Sequence, residues 1–366
     1  MWSRPSVCDY ILDLARRAGP AALALPITAL VAGLPVLAQT DTRTTEQARH
    51  ELSERVDEVT RMFQSDPRYS RGKTPEQVKD GVEFVTGNVL FVLAHETGHA
   101  LIREMELPVL GREEDAADAL ATVVAVKMAN SFADRVIINA ARGWFLSDQR
   151  DKKDGVPTDY YDQHGMDLQR AYNIVCLLVG ADRKKYEGLA NEVKLPEERQ
   201  ATCRDDWVNA SWSWGQVLKP HMRKPDEPRA KIEVKYNPPG EDYKALAEIG
   251  QKLQILETVA AWLSDDFKWT HPISVEMEKC GESGARWEWK TRRIVVCYEI
   301  IREFSQLFRD FGQVALVPGT MRMSKNHKYV VSAKSAKRSA KTATKTAAKA
   351  ADKTKRKDQK AFRAPR

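Results

Sequence analysis

Phe91-Val92-Leu93-Ala94-His95-Glu96-Thr97-Gly98-His99-Ala100-Leu101-Ile102 is an apolar stretch interrupted by HETGH. On an α-helix, residues four apart lie one turn above each other, so His95 and His99 aim two imidazole nitrogens at one metal ion. Glu96 stands beside them, where a carboxylate collects a proton from water whose pKa Zn²⁺ has lowered. The flanks Val89–Ala94 and Ala100–Ile102 describe a buried helix. Two histidines and a glutamate in such a helix carry a desolvation cost unless something binds them, and a metal is the natural partner.

A catalytic zinc needs three protein ligands and one open position. A metzincin would place a glycine and a third histidine where this chain has Ile102 and Met105, which excludes that class. Pro108 and Gly111 break the chain before the acidic run Glu113-Glu114-Asp115-Ala116-Ala117-Asp118, so a second helix folds back as a hairpin. Glu114 and Asp118 are four apart and share a face with Ala117 and Ala121, small residues that let two helix backbones approach. Glu114 is then the third ligand, and Asp118 accepts the free ring N–H of a ligating histidine. Taken alone, the acidic run is an ordinary helix start favoured by the helix dipole.

HExxH followed by Glu-x-x-x-Asp resembles the gluzincin type of zinc peptidase. More closely, HETGHALI with LPVLGREEDAADALA resembles a bacterial family of uncharacterised secreted metallopeptidases. The likeness is specific over His95–Ala121 and looser over Gln163–Cys203 and Cys280–Glu299. It implies a zincin-like site in an α+β fold that is helix-rich around the metal, without defining a substrate; a peptide or protein is the substrate expected here. In zincins the substrate-cradling sheet precedes the HExxH helix, and its edge strand pairs with the peptide. Here Cys280-Gly281 and Cys297-Tyr298-Glu299 follow the motif. The chain order is therefore expected to be permuted, or these residues form a separate small domain.

The two ends are of a different character. Residues 1–38 carry Arg16 and Arg17, then an apolar run from Ala21 with Val36 and Ala38 before Gln39. That reads as an export signal cleaved after Ala38, with an uncleaved membrane anchor as the alternative. It points to a secreted or periplasmic protein. Four cysteines remain in the mature chain, which suggests local disulfides Cys176–Cys203 and Cys280–Cys297 in an oxidising compartment. No CxxC spacing supports a structural zinc. The whole chain is +7, but Ser324–Arg366 holds fifteen Lys or Arg against two Asp, a net of +13 that leaves −6 for the rest. The tail lacks the apolar content for a core and resembles linker-histone tails. It suits anionic partners, whether envelope polymer, lipid or nucleic acid.

Between the ends, 39–228 reads as a helical zinc-site region and 229–323 as a βαββα region. Helices are expected over Thr44–Gln64, Ser131–Leu146 and Ala171–Val179, with a loop over Asp66–Lys79. Strands are expected at Lys231–Tyr236, Ile273–Lys279 and Arg292–Val296, a helix at Tyr243–Leu263 and another at Cys297–Phe311. His164 is the candidate donor to the oxyanion of peptide hydrolysis, with Tyr160 or Tyr161 as substitutes. Capping of the next helix is the plain alternative. Trp207, Trp212 and Trp214 read as core rather than as a carbohydrate platform. The expected protein is an exported zinc-dependent peptidase. A catalytically silent envelope-binding protein with a structural zinc and a polyanion-binding tail is the reading from another class.

Overall fold

Capping residues set where the first long helices begin. In the computed structural model, which describes residues 39–40 and 44–313, a two-residue strand Gln39–Thr40 (β1) precedes the helix Thr45–Ser65 (α1). The Thr44 hydroxyl accepts the Gln47 backbone N–H at 3.1 Å, and the Gln47 side chain accepts that of Thr44 at 2.9 Å. Two N–H groups that a helix start leaves orphaned are thereby satisfied. A single turn, Pro67–Ser70 (α2), follows. The same box then recurs with Thr74 and Gln77, opening the thirty-residue helix Pro75–Glu104 (α3). The loop expected over 66–79 is thus shortened from both ends, because proline at a first helical position has no N–H to lose.

Five more helices follow: Glu113–Lys127 (α4), Ser131–Asp154 (α5), Asp167–Ala181 (α6), Arg183–Glu192 (α7) and Glu197–Leu218 (α8). The remainder runs Ile232–Tyr236 (β2), Lys244–Leu253 (α9), Ile255–Asp266 (α10), Ile273–Glu278 (β3), Ala285–Glu288 (β4), Arg293–Cys297 (β5) and Tyr298–Phe311 (α11). The sheet order is β1-β2-β3-β5-β4: β2, β3 and β5 are parallel, and β4 and β1 are antiparallel at the two edges. The fold is α+β, helix-rich with a small mixed sheet.

Two expectations here need correction. The helix expected over 243–263 is two helices, split at Gln254 with φ 52°, a left-handed backbone that no helix interior accepts. The expected βαββα order is βααβββα, because β4 forms from Ala285-Arg286-Trp287-Glu288. Its alternation is dominated by charged residues, which hid it. The predicted signal (1–38) and basic tail (324–366) lie outside the described residues. No helix among the described residues is long and apolar enough to cross a membrane.

α3 lies between two apolar clusters. Val82, Val89, Leu93 and Leu101 join one that includes Leu52 and Val59 of α1, Val259 and Leu263 of α10, and Val275 and Ile294 of the sheet. Phe84 and Phe91 join another with Phe145, Ile174 and Leu189. The first cluster draws on residues both before and after position 229. Because α3 is enclosed on both sides, its geometry is fixed along its length, which a metal site requires. The structure forms both disulfides: Cys176–Cys203 ties α6 to α8, and Cys280–Cys297 ties the loop after β3 to the end of β5. The three tryptophans divide. Trp214 is buried and donates its indole N–H to the Ala116 carbonyl at 3.1 Å, while Trp212 is 64% exposed.

Candidate metal centre

α3 and α4 fold back on each other as a hairpin, and small residues set their spacing. A Cβ on Gly98 would stand 3.0 Å from both Cα and Cβ of Ala117. Such close approach places the carboxylates of α4 against the HETGH face. The pairing is antiparallel: His95, the earlier histidine, meets Asp118, and His99 meets Glu113 at the start of α4.

The hydrogen bonds determine which ring nitrogens face the centre. His95 Nδ1 donates to Asp118 Oδ1 at 2.7 Å, and His99 Nδ1 donates to Glu113 Oε1 at 2.8 Å. Ionised carboxylates only accept, so each Nδ1 carries a proton, and once Nε2 is deprotonated each ring presents its lone pair toward the centre. Those two Nε2 atoms face each other at 3.1 Å, and Glu114 Oε2 lies 3.0 Å from His95 Nε2 and 3.3 Å from His99 Nε2. With both Nε2 protons gone, three electron pairs converge on one point and repel unless a cation sits among them. Four ligands about 2.0–2.1 Å from Zn²⁺ in a tetrahedron are separated by about 3.3–3.4 Å, close to the separations found. The donor set therefore fits a tetrahedral ion, and Glu96 is not part of it.

Without a metal the same geometry draws protons. Burial pushes His95 down, but the hydrogen bonds to Asp118 and Glu114 outweigh it and raise its pKa to about 9. His99 is raised for the same reason, by Glu114 and Glu113 against burial. Burial would raise Glu114, yet hydrogen bonds from His164, His95 and His99 hold it far below the carboxylate range. Asp118 is also held low, against burial, by His95 and Arg170. Metal binding at such a site must release protons.

His164 comes from the segment before α6. Its Nε2 lies 3.0 Å from Glu114 Oε2, and its Nδ1 donates to Asp162 Oδ1 at 2.9 Å. Glu114 raises its pKa. His95, Glu114 and His164 form a second trio whose ligand atoms all lie within 4.8 Å of one another. Tyr160 and Tyr161 are solvent-exposed, at 83% and 90%.

Glu96 is buried, at 8% exposure. Burial raises its pKa, opposed by His95, His99 and the backbone N–H of Trp287, which donates to its carboxylate. Trp287 belongs to β4, an edge strand of the sheet. The sheet that follows the motif in sequence thus reaches the helix that carries it.

Two groups at the site were missed in the sequence. In the sequence Glu113 is indistinguishable from an ordinary helix start, although an antiparallel hairpin that pairs His95 with Asp118 also pairs His99 with a residue near 113. Arg170 gave no local signal. It lies 52 positions from Asp118, and its Nε and Nη2 donate to Oδ2 and Oδ1, both at 2.7 Å.

An HExxH helix facing a Glu-x-x-x-Asp helix across a small-residue contact is the arrangement of a metal-dependent peptidase. The chain belongs to the family DUF4344, described as "Putative metallopeptidase", whose model matches residues 52–218 and 236–352, most of its length. No curated protein and no solved structure matches the chain. As a member of that family it is a hydrolase with a metal cofactor and a peptide or protein substrate.

Proposed function

We propose that the protein is an exported zinc-dependent peptidase whose ion is held by His95 Nε2, His99 Nε2 and Glu114. The observation that carries this reading is the convergence of the two Nε2 atoms and Glu114 Oε2, each ring held by a carboxylate on its Nδ1. Zn²⁺ bound there supplies a Lewis acid that polarises the scissile carbonyl and acidifies water.

The chain's own residues do the rest. Glu96 takes a proton from the attacking water as its oxygen bonds to the carbonyl carbon. Burial raises the carboxylate's affinity for that proton, so it holds the proton until the tetrahedral carbon collapses. It then delivers it to the leaving nitrogen as the C–N bond breaks. His164, protonated against Glu114, swings its Nε2–H from Glu114, once that carboxylate holds the ion, to the oxygen that becomes negative. The β4 edge presents backbone groups beside Glu96 on which an extended peptide pairs. Asp118 and Glu113 keep His95 and His99 in the ligating tautomer.

Export is proposed from residues 1–38 and supported by the two disulfides, which persist in oxidising compartments. Domain limits at 38, 228 and 323 are proposed on the same sequence grounds, with the basic tail 324–366 binding polyanions.

Replacing Glu96 by Gln tests the enzyme reading. Zinc content is expected to stay unchanged while peptide hydrolysis falls about 10²–10⁴-fold. Undiminished hydrolysis in that variant would remove Glu96 from the mechanism. A wild type that binds zinc and cuts nothing would move the weight to an envelope-binding role.

A further inference from the structure

Two of the α4 carboxylates that face the metal helix, Glu114 and Asp118, are each met by a cationic side chain from one short segment. His164 reaches Glu114 and Arg170 reaches Asp118. The second contact is the more constrained. Arg170 is 9% exposed and Asp118 is 8% exposed. The guanidinium takes both carboxylate oxygens at 2.7 Å with two of its donors, and its carbon lies 3.7 Å from the centre of the Trp144 ring on α5. A planar fork on a planar carboxylate fixes the orientation of the carboxylate as well as its position. The tryptophan face fixes the fork in turn. Asp118 Oδ1, held this way, is the same atom that accepts His95 Nδ1–H at 2.7 Å.

We infer that Arg170 is a positioning residue for the metal, acting through Asp118 on His95, with Trp144 as its backstop. The inference rests on the metal reading above. A buried ion pair is a poor source of stability, since well-packed apolar side chains of similar volume often serve better. Its placement on the one carboxylate that orients His95 gives it another use. Without the fork, Asp118 retains a single strong partner and rotates about its side-chain bonds, and the direction of His95 Nε2 loosens with it. Lysine would keep the charge but could not hold both oxygens.

The test is zinc affinity of the full-length protein, measured by competition with a chromophoric chelator, for wild type, Arg170→Gln, Arg170→Lys, Asp118→Asn and Asp118→Asn/Arg170→Gln. The visible spectrum of each Co²⁺-substituted protein is recorded alongside. Loss of an outer partner of a metal ligand costs about 10–100-fold in affinity, so Arg170→Gln is expected to fall in that range and to change the Co²⁺ bands. Arg170→Lys is expected to recover part of the loss. In the Asp118→Asn background, Arg170→Gln is expected to add little, because contacting groups are not additive. Equal losses in both backgrounds, or affinity and spectrum unchanged in Arg170→Gln, would overturn the inference and leave the metal reading standing. A wild type that binds no zinc would overturn both. If Arg170→Gln does not fold, as judged by near-ultraviolet circular dichroism, Arg170→Lys decides alone, and its wild-type affinity and spectrum would overturn the inference.

Discussion

Adding one methyl group at Gly98 should damage the metal site far more than the fold. The new Cβ would stand 3.0 Å from Ala117 Cα, 3.0 Å from Ala117 Cβ and 3.6 Å from Leu120 Cδ2. Ordinary contact between carbons needs about 3.5–4.0 Å, so α3 and α4 must separate by roughly half an ångström or more at this point. Overpacking of this kind costs about 1–3 kcal/mol, while exchanging Gly for Ala within a helix returns about 1 kcal/mol. The net loss of stability is then about 0–2 kcal/mol. Metal sites tolerate ligand displacements of only about 0.2 Å, and Gly98 adjoins His99 while Ala117 lies one turn from Glu114. Zinc affinity in Gly98→Ala should therefore fall by at least the roughly 10–100-fold that loss of an orienting partner costs. The assay pairs chelator competition with thermal melts of the metal-free protein, which separate ligand geometry from fold. Wild-type zinc affinity in a protein whose metal-free melt is lowered would refute the reasoning, because the helices would have separated without moving the ligands.

Two further predictions concern the rest of the molecule. Burial pushes the Glu192 carboxyl up to about 7, opposed by Arg142. Its folded form thus binds the proton more tightly, and its share of stability is present below the unfolded pKa near 4.5 and lost as pH rises through about 7. A shift of this size corresponds to about 3 kcal/mol, discounted to about 1–2 kcal/mol because water still reaches the group. Melting curves of Glu192→Gln should match wild type at pH 4 and lie above it at pH 8; coincident curves at both would remove the effect. Breaking Cys280–Cys297, which closes a span of 17 residues, with the double change Cys280→Ser/Cys297→Ser should cost about 3 kcal/mol in urea unfolding. Zinc affinity should hold, since the proposed ligands lie on α3 and α4. A loss of zinc with no loss of stability would reverse that assignment.

What was legible in the sequence is what a single helix repeats at short range. His95, Glu96 and His99 lie within one turn and a half, and the apolar residues around them already describe a buried helix. Glu114 and Asp118 were legible because a broken chain, a hairpin and small residues at Ala117 and Ala121 leave few other residues able to reach His95 and His99. Gly98 gives the close approach its other half. Contacts made by tertiary packing had no such signature. Arg170 meets Asp118 only because α6 packs beside α4, and Trp144 comes from a third helix. β4 was hidden because Arg286 and Glu288 look like a charged loop until they pair across the sheet with Glu278 and Arg293. The start of α3 was a legible signal read the wrong way, since Thr74-Pro75-Glu76-Gln77 is a complete capping box.

His95, His99 and Glu114 are proposed to hold one ion. Anomalous diffraction at the zinc edge, from crystals of the full chain loaded with Zn²⁺, tests it most directly. One strong peak is expected, bonded to His95 Nε2, His99 Nε2 and a Glu114 oxygen, with Glu96 free beside it. No peak between these residues, or a peak on His95, Glu114 and His164 that leaves His99 unbound, would contradict it.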